Sequence, residues 1–144
     1  MRKIILVLAV FFLFASSCLA DGAVVYGGLR EGLALGLGME NKITERMTIR
    51  YGFGASVSAN PSTMGTNPFM AYAGIKYPLF ISFGYCPTSL GLGVAADFGT
   101  QTQAGGSCSI IFDNIYNQEK YYLEIGADIF SAQVNPVLLV GYRF

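Results

Sequence analysis

Apolar residues alternate with small or polar residues along most of the chain beyond residue 22. In LALGLGM, residues 33–39, every second residue is leucine or methionine, and RMTIRYGFGASVS, residues 46–58, repeats the alternation. Successive side chains of a β-strand point to opposite faces of a sheet, so this pattern predicts strands with one apolar face. The period is two, rather than the 3.6 residues of an amphipathic helix.

Further segments with the same alternation, separated by turn-rich stretches, predict an all-β domain. They are FMAYAGIKY, LFISFGYC, SLGLGVAADFG, KYYLEIGADIF and VLLVGYRF, while residues 107–116 alternate least regularly. The count is eight strands if residues 23–39 form one long strand and Pro78 marks a hairpin. Alternatively, residues 69–85 form one strand through Pro78, and a break near Gly27 and Gly28 keeps the number even.

The second face of these strands is unusual for a sheet in water, because it carries mainly Gly, Ala and Ser. Small residues suit the narrow interior of an eight-stranded barrel, which side chains just fill. Only 12% of the chain is charged, against about 25% in typical soluble domains, which favours an outer surface in lipid. The sequence predicts a closed antiparallel up-and-down transmembrane β-barrel, in which NPSTMGTNP, residues 60–68, forms a periplasmic turn.

A soluble periplasmic β-barrel that carries an apolar ligand, as lipocalins do, is the alternative. The two architectures predict opposite orientations of the strand faces. In the carrier the leucine face points inward and the glycine face meets water, whereas in the membrane barrel the leucine face points outward.

The first 20 residues, MRKIILVLAVFFLFASSCLA, have the order of a secretory signal peptide. Two basic residues precede an apolar run from Ile4 to Ala15, and small residues follow. The run is shorter than the about 20 residues of an ordinary spanning helix. We expect cleavage after Ala20, which leaves residues 21–144 as one barrel domain. The alternative is a lipoprotein signal in which Cys18 is lipidated.

Charge and composition exclude several classes of function. Beyond residue 20 the chain has seven basic and nine acidic residues, with no basic cluster. Phosphate neutralisation requires clustered Lys and Arg, so nucleic acid is not an expected partner. The chain contains no histidine, which excludes Ser-His-Asp hydrolysis and removes the commonest zinc ligand. We predict no catalytic, cofactor or metal site.

The alternation places several charged side chains inside the predicted barrel. They could line a polar pathway for small ions, or form a network of ion pairs that fills and fixes the interior. Buried charges must be paired, which favours the network. The predicted interior charges are Arg30, Arg46, Arg50, Lys76, Asp97, Glu124, Asp128 and Arg143.

The chain resembles the small outer-membrane β-barrels of Gram-negative bacteria, of the eight-stranded opacity and OmpA-like kind. The signal peptide, the alternation through residues 23–144 and the terminal VLLVGYRF carry the resemblance. In that family the last strand ends in an aromatic residue, usually Phe, with apolar or aromatic residues at alternate positions before it. The barrel-assembly machinery reads this strand. The matching positions are Leu138, Val140, Tyr142 and Phe144.

The resemblance implies export through the periplasm, an outer-membrane location, and lipid and the assembly machinery as partners. It also implies that the last strand pairs with the first, because an open sheet edge is not tolerated in lipid. The known enzymes of the class rely on a histidine, so we expect a non-enzymatic protein with a structural or surface-interaction role, in contact with host cells or phage. The chain is too short for the 16 or so strands of a wide channel.

Two further expectations concern aromatic residues and cysteines. The tyrosines near predicted strand ends, Cys86 and Cys108 remain after Ala20, and an even number in an exported chain invites a disulfide. A crossing strand at residues 89–98 would separate them by roughly 25 Å, whereas a disulfide requires Cα atoms within about 7 Å. We predict free thiols at opposite rims.

Overall fold

The computed structural model describes residues 22–30, 32–57, 69–99, 102–131 and 133–144. The predicted signal peptide, its cleavage after Ala20, the alternative lipidation of Cys18 and the turn at residues 60–68 lie outside the described residues. No helix within the described ranges is long and apolar enough to cross a membrane.

Eight antiparallel strands form one closed barrel in which each strand pairs with its neighbours in sequence, and the last pairs with the first. A short 3₁₀ turn, Ile115–Asn117, connects β6 to β7. The predicted all-β, closed, up-and-down barrel of eight strands is confirmed. The strands are β1 Ala23–Arg30, β2 Leu33–Thr44, β3 Met47–Val57, β4 Phe69–Phe83, β5 Cys86–Phe98, β6 Gln103–Asp113, β7 Tyr121–Ile129 and β8 Val134–Arg143.

The pairing registers give the barrel a pronounced stagger. A circuit that starts at Ala23 and follows the paired residues from β2 to β7 reaches Val134 on β8, whereas β1 pairs near Ala23 with the other end of β8, where Val24 opposes Arg143. The shear is therefore about ten residues, consistent with strands tilted by about 35–45°. We call the end where β1 begins and β8 ends the proximal end, and the opposite end the distal end.

The first hairpin lies at a position that the alternation did not reveal. Residues 23–39 do not form one strand, and no break occurs near Gly27 and Gly28, because both glycines pair with β2 and β8. The turn is at residues 31–32, next to the Leu29–Leu33 pair. A turn of two residues leaves the alternation in phase, so both leucines point outward and the pattern continues unchanged.

Strand β4 runs through Pro78, so the hairpin predicted there is wrong and the alternative of a single strand is correct. The pairing of β3 with β4 ends at Thr48 and Lys76, and a register shift lies between Pro78 and Ser82. Proline is tolerated at this position because it sits on an unpaired edge next to a bulge.

The extra hairpin at residues 31–32 changes which end of the barrel carries the NPSTMGTNP segment. The strand ends on either side of it, Val57 and Phe69, lie at the distal end. The prediction of a turn at the same end as the start of β1 and the end of β8 is therefore wrong, because one more strand precedes the segment than the alternation indicated.

The apolar face of each strand points outward and the face rich in small residues points inward. Leu35, Leu92 and Ile125 are 67%, 45% and 46% exposed on the outer wall. Inside, Tyr26, Tyr122 and the other large apolar side chains are almost fully buried, with Tyr26 packed against Val137 and Leu139. The orientation is the one predicted for the membrane barrel, and it is opposite to that predicted for the carrier.

Cys86 and Cys108 are both free thiols, as predicted. Cys86 begins β5 near the proximal end, but Cys108 lies within β6, opposite Leu92 and Ala127. The prediction that Cys108 sits at the opposite rim is wrong, because β6 begins at Gln103. Cys108 is exposed near the middle of the outer wall.

Candidate functional site

The interior charges form one connected network at the proximal end and one separate pair at the distal end. In the network, Arg50 donates two hydrogen bonds to Glu124, at 2.8 and 3.2 Å, and a third to Glu40 at 2.9 Å. Ser109 donates to the same Glu124 carboxylate at 2.7 Å. Strands β2, β3, β6 and β7 are thereby connected across the lumen by charge-assisted hydrogen bonds.

The network continues toward the proximal mouth through Arg143. Its guanidinium is 2.7 Å from Glu40 and 2.7 Å from Asp113. Asp113 also accepts a hydrogen bond from Lys76 at 2.8 Å and one from Ser89 at 3.3 Å. Each of these three cations, including Arg50, therefore contacts at least one carboxylate, which is the arrangement that charges removed from water require.

The distal pair consists of Arg30 and Asp128, which lie on β1 and β7. The guanidinium donates from two nitrogens to the two carboxylate oxygens, at 2.6 and 2.9 Å. Both side chains are almost fully buried. Bidentate pairing of this kind fixes the relative orientation of the two groups as well as neutralising them.

Tyrosine rings separate the arginines along the lumen. The Tyr72 ring centroid is 5.1 Å from the Arg30 guanidinium carbon and 5.8 Å from that of Arg50. The Tyr122 ring lies between Arg50 and Arg143, at 5.6 and 4.5 Å. The interior is thus a stack of alternating guanidinium groups and aromatic rings, held by cation–π contacts as well as by ion pairs.

Glycines on the inward faces make room for these rings. A Cβ added at Gly141 would meet the Tyr122 ring, and a Cβ at Gly52 would lie 2.5 Å from Tyr72 Cε1. Only a residue without a side chain fits at these two positions. The glycine-rich face therefore complements large side chains from the opposite wall and does not line an open channel.

A cavity of about 20 Å³ remains between Arg30, Arg50, Tyr72 and Glu124. A space of this size holds about one water molecule. Within the described residues, no group of three or more Cys, Asp and Glu side chains is placed to hold a metal ion. An ion could cross this part of the lumen only if ion pairs such as Arg50–Glu124 separated.

The structure places most of the predicted interior charges inside the barrel, with one exception. Arg30, Arg50, Glu124, Asp128 and Asp97 are each at most 6% exposed, and the Lys76 and Arg143 side chains are 12% and 19% exposed. Arg46 is not in the interior. It occupies the turn at residues 45–46, is exposed, and lies over the Phe80 ring at 5.6 Å. Alternation failed for Arg46 because the strand begins only at Met47.

Two carboxylates of the network, Glu40 and Asp113, were missing from the predicted set. Glu40 continues the inward face of β2 after Gly36 and Gly38, so extending the alternation by one residue would have identified it. Asp113 ends β6, whose alternation is weak because Ile111 points inward among Val24 and Tyr122. Only the three-dimensional structure identifies Asp113 as the partner of Lys76 and Arg143.

The outer wall of β8 carries the residues of the predicted assembly signal. Leu138, Val140 and Phe144 are 44–59% exposed, and Tyr142 stacks edge-on against Tyr121 and Phe144 at 5.0 and 5.2 Å. The backbone N–H of Phe144 donates to the carbonyl of Ala23, next to the β1–β8 seam. Comparison of the chain with protein-family models, curated protein sequences and solved structures finds no match.

Proposed function

We propose that this protein is a non-enzymatic outer-membrane β-barrel with a filled interior, which acts as a structural protein or presents a surface for interaction. The orientation of the wall carries the proposal. Large apolar side chains cover the outside of the barrel while arginines and carboxylates are paired inside. Contiguous exposed apolar surface on this scale is unfavourable in water and favourable in a bilayer.

Closure of the barrel supports a location in lipid. The β1–β8 pairing leaves no sheet edge, and within a bilayer every backbone polar group must be satisfied by the protein itself. The aromatic contacts among Tyr121, Tyr142 and Phe144 at the proximal end have the character of an interfacial girdle. In this proposal the assembly machinery recognises β8, and the signal peptide directs export.

The soluble carrier is the less favoured candidate. An apolar ligand would require a lumen lined by the leucine face, whereas the lumen contains the guanidinium–tyrosine stack and a cavity of about 20 Å³. Drug-sized ligands occupy pockets of about 300–1,000 Å³. Neither the volume nor the lining of this interior suits such a ligand.

Catalysis and wide-pore transport are both outside the proposal. The absence of histidine from the sequence removes the residue on which the known enzymes of this barrel class depend. The carboxylates Glu40, Glu124 and Asp128 are each held by an arginine, which leaves them poorly suited to act as bases. A role at the cell surface falls to the connections at the distal end.

Membrane fractionation with heat-modifiable gel mobility tests the proposal. We expect the protein to stay with envelopes in carbonate or high salt, to be released by detergent, and to migrate differently before and after boiling because the closed barrel resists unfolding. Release without detergent would contradict the membrane location and favour the carrier.

Surface display is tested separately with an epitope tag. A tag between residues 60 and 67, beside the distal ends of β3 and β4, should bind antibody on intact cells. The same tag after Asn117, in the proximal 3₁₀ turn, should bind antibody only after the outer membrane is permeabilised. The reverse result would invert the orientation, and labelling of neither site on intact cells would remove the surface role.

A further inference from the structure

Two neighbouring hairpins extend beyond the rest of the barrel at the proximal end. Residues 40–44 of β2 continue past the last register pair with β1, which is Ala23 with Met39. Residues 77–83 of β4 continue past the last pair with β3 and are paired only with β5, where Phe83 opposes Cys86. We call residues 77–86 the proximal arm.

The proximal arm bends toward the outside of the barrel. The register shift between Pro78 and Ser82 and the positive φ of Phe80, 55°, mark the bend. A bulky residue rarely adopts this φ, so the surrounding structure must hold it there. The Phe83 ring packs edge-on against Phe112 of β6 at a centroid distance of 5.7 Å. Phe112 belongs to the outer wall, because its neighbours Ile111 and Asp113 point inward.

The arm exposes four large apolar or aromatic side chains next to each other in sequence. Phe80, Ile81, Phe83 and Tyr85 are 76%, 55%, 65% and 85% exposed. Arg46, in the tip of the neighbouring hairpin, lies over the Phe80 ring and connects the two hairpins through a cation–π contact. An exposed group of this kind beside a polar rim marks an interaction surface.

The position of the arm identifies what covers it. Its apolar side continues without interruption the outer wall of β4, where Ile75 and Tyr77 are each 41% exposed. The edge of β4 is unsuited to accept a strand from another protein, because Pro78 and the bulge interrupt its row of hydrogen-bonding groups. Aromatic rings together with an arginine are the side chains that favour the boundary between acyl chains and headgroups.

We infer that the proximal arm is an interfacial anchor that lies in the headgroup region of the leaflet at the proximal end, with Phe80, Ile81 and Phe83 against the acyl chains. Arg46 faces the lipid phosphates. This inference rests on the proposed membrane location. It adds that one side of the barrel, β2 to β5, is held by lipid beyond the wall, whereas the β6–β7 connection at the same end is in water.

The absence of tryptophan from the chain makes the anchor measurable. Three single-tryptophan variants are compared in phosphatidylcholine–phosphatidylglycerol vesicles: Phe83→Trp in the arm, Tyr116→Trp in the 3₁₀ turn and Leu92→Trp in the wall. Tyr116 is a matched control because it is an aromatic residue at the proximal end, 90% exposed, with polar neighbours in sequence. Heat-modifiable mobility of each variant establishes that the barrel has folded.

We expect Phe83→Trp to emit at shorter wavelength than Tyr116→Trp and to be quenched most by lipids brominated near the headgroup. Leu92→Trp should be quenched most by lipids brominated deeper in the chains, and Tyr116→Trp by aqueous iodide. If Leu92→Trp behaves as expected while Phe83→Trp is quenched by iodide as strongly as Tyr116→Trp, the anchor is wrong and the membrane location stands. A blue shift of Phe83→Trp that depends on protein concentration, without quenching by bromine, would assign the arm to a second copy and overturn the anchor.

If no brominated lipid quenches Leu92→Trp, the proposed membrane location fails, and the anchor fails with it. The wall variant therefore separates the two failures.

Discussion

Glu124 and Ile125 are neighbours in β7, yet the first is 6% exposed inside the barrel and the second is 46% exposed outside it. The same contrast between the inner and outer surfaces recurs around the wall, and it is the reverse of a soluble barrel. Inside, each network charge depends on a particular partner, as Glu124 depends on Arg50 and Ser109. Outside, the requirement is only for apolar surface, so many different apolar residues satisfy it.

This difference in specificity predicts different responses to mutation. An interior substitution removes a defined partner and leaves a buried charge behind, whereas an exterior substitution changes only the compatibility of one side chain with the surrounding solvent. The following substitutions test that contrast, beginning with the one expected to have the largest effect.

Arg50→Met should destabilise the folded barrel by about 3–5 kcal/mol, because Glu124 would lose its buried partner. Arg46→Met, at the exposed turn, is the matched control and should change the free energy of unfolding by about 0.5 kcal/mol or less. Urea titration in detergent micelles measures both. Combining Arg50→Met with Glu124→Gln should recover part of the loss, and an equal effect of the two single substitutions would mean that Arg50 is not a network residue.

Ile125→Arg should cost about 2–4 kcal/mol in vesicles, since Ile125 lies near the middle of the outer wall, where it pairs with Leu138. Ile43→Arg is the control, because Ile43 is similarly exposed, at 49%, but lies in the proximal extension of β2. Its cost should be small. Near-neutral effects at both positions, by denaturant titration, would indicate that the wall faces water.

Gly141→Ala should cost about 1–3 kcal/mol, because the added methyl group would collide with the Tyr122 ring and the interior cannot expand. Gly106→Ala is the exterior counterpart, with no atom within 4 Å of the added Cβ. It should be neutral or slightly stabilising. If the thermal unfolding of both variants matches that of the parent chain, the interior is less tightly packed than the contacts around Tyr122 indicate.

Cys108 provides the mildest test, since labelling perturbs nothing before the measurement. In vesicles the thiol should resist a water-soluble maleimide, because it lies on the outer wall opposite Leu92 and Ala127. After unfolding in denaturant without reductant, mass spectrometry should show label on both Cys86 and Cys108. Rapid labelling of Cys108 in folded protein in vesicles would place that part of the wall in water.

The alternation of residues was sufficient to predict which side of the wall most residues occupy, but not where the strands turn. The turn at residues 31–32 leaves the alternation in phase, so it was missed, and Pro78 was taken for a hairpin although it lies on the unpaired part of β4. Arg46 was assigned to the interior because alternation alone cannot distinguish the end of a strand from the turn beyond it.

By itself, the sequence determined the two faces, the closed all-β architecture and most of the interior charges, because these depend only on a local period of two. Tertiary structure alone decided the partners. Arg143 meets Glu40 and Asp113 across the lumen, from strands separated by up to 103 residues in the chain. Such contacts depend on register, stagger and closure, in which every strand participates at once. No local pattern encodes them, so the ion-pair network and the bend of the proximal arm emerge only when the barrel is complete.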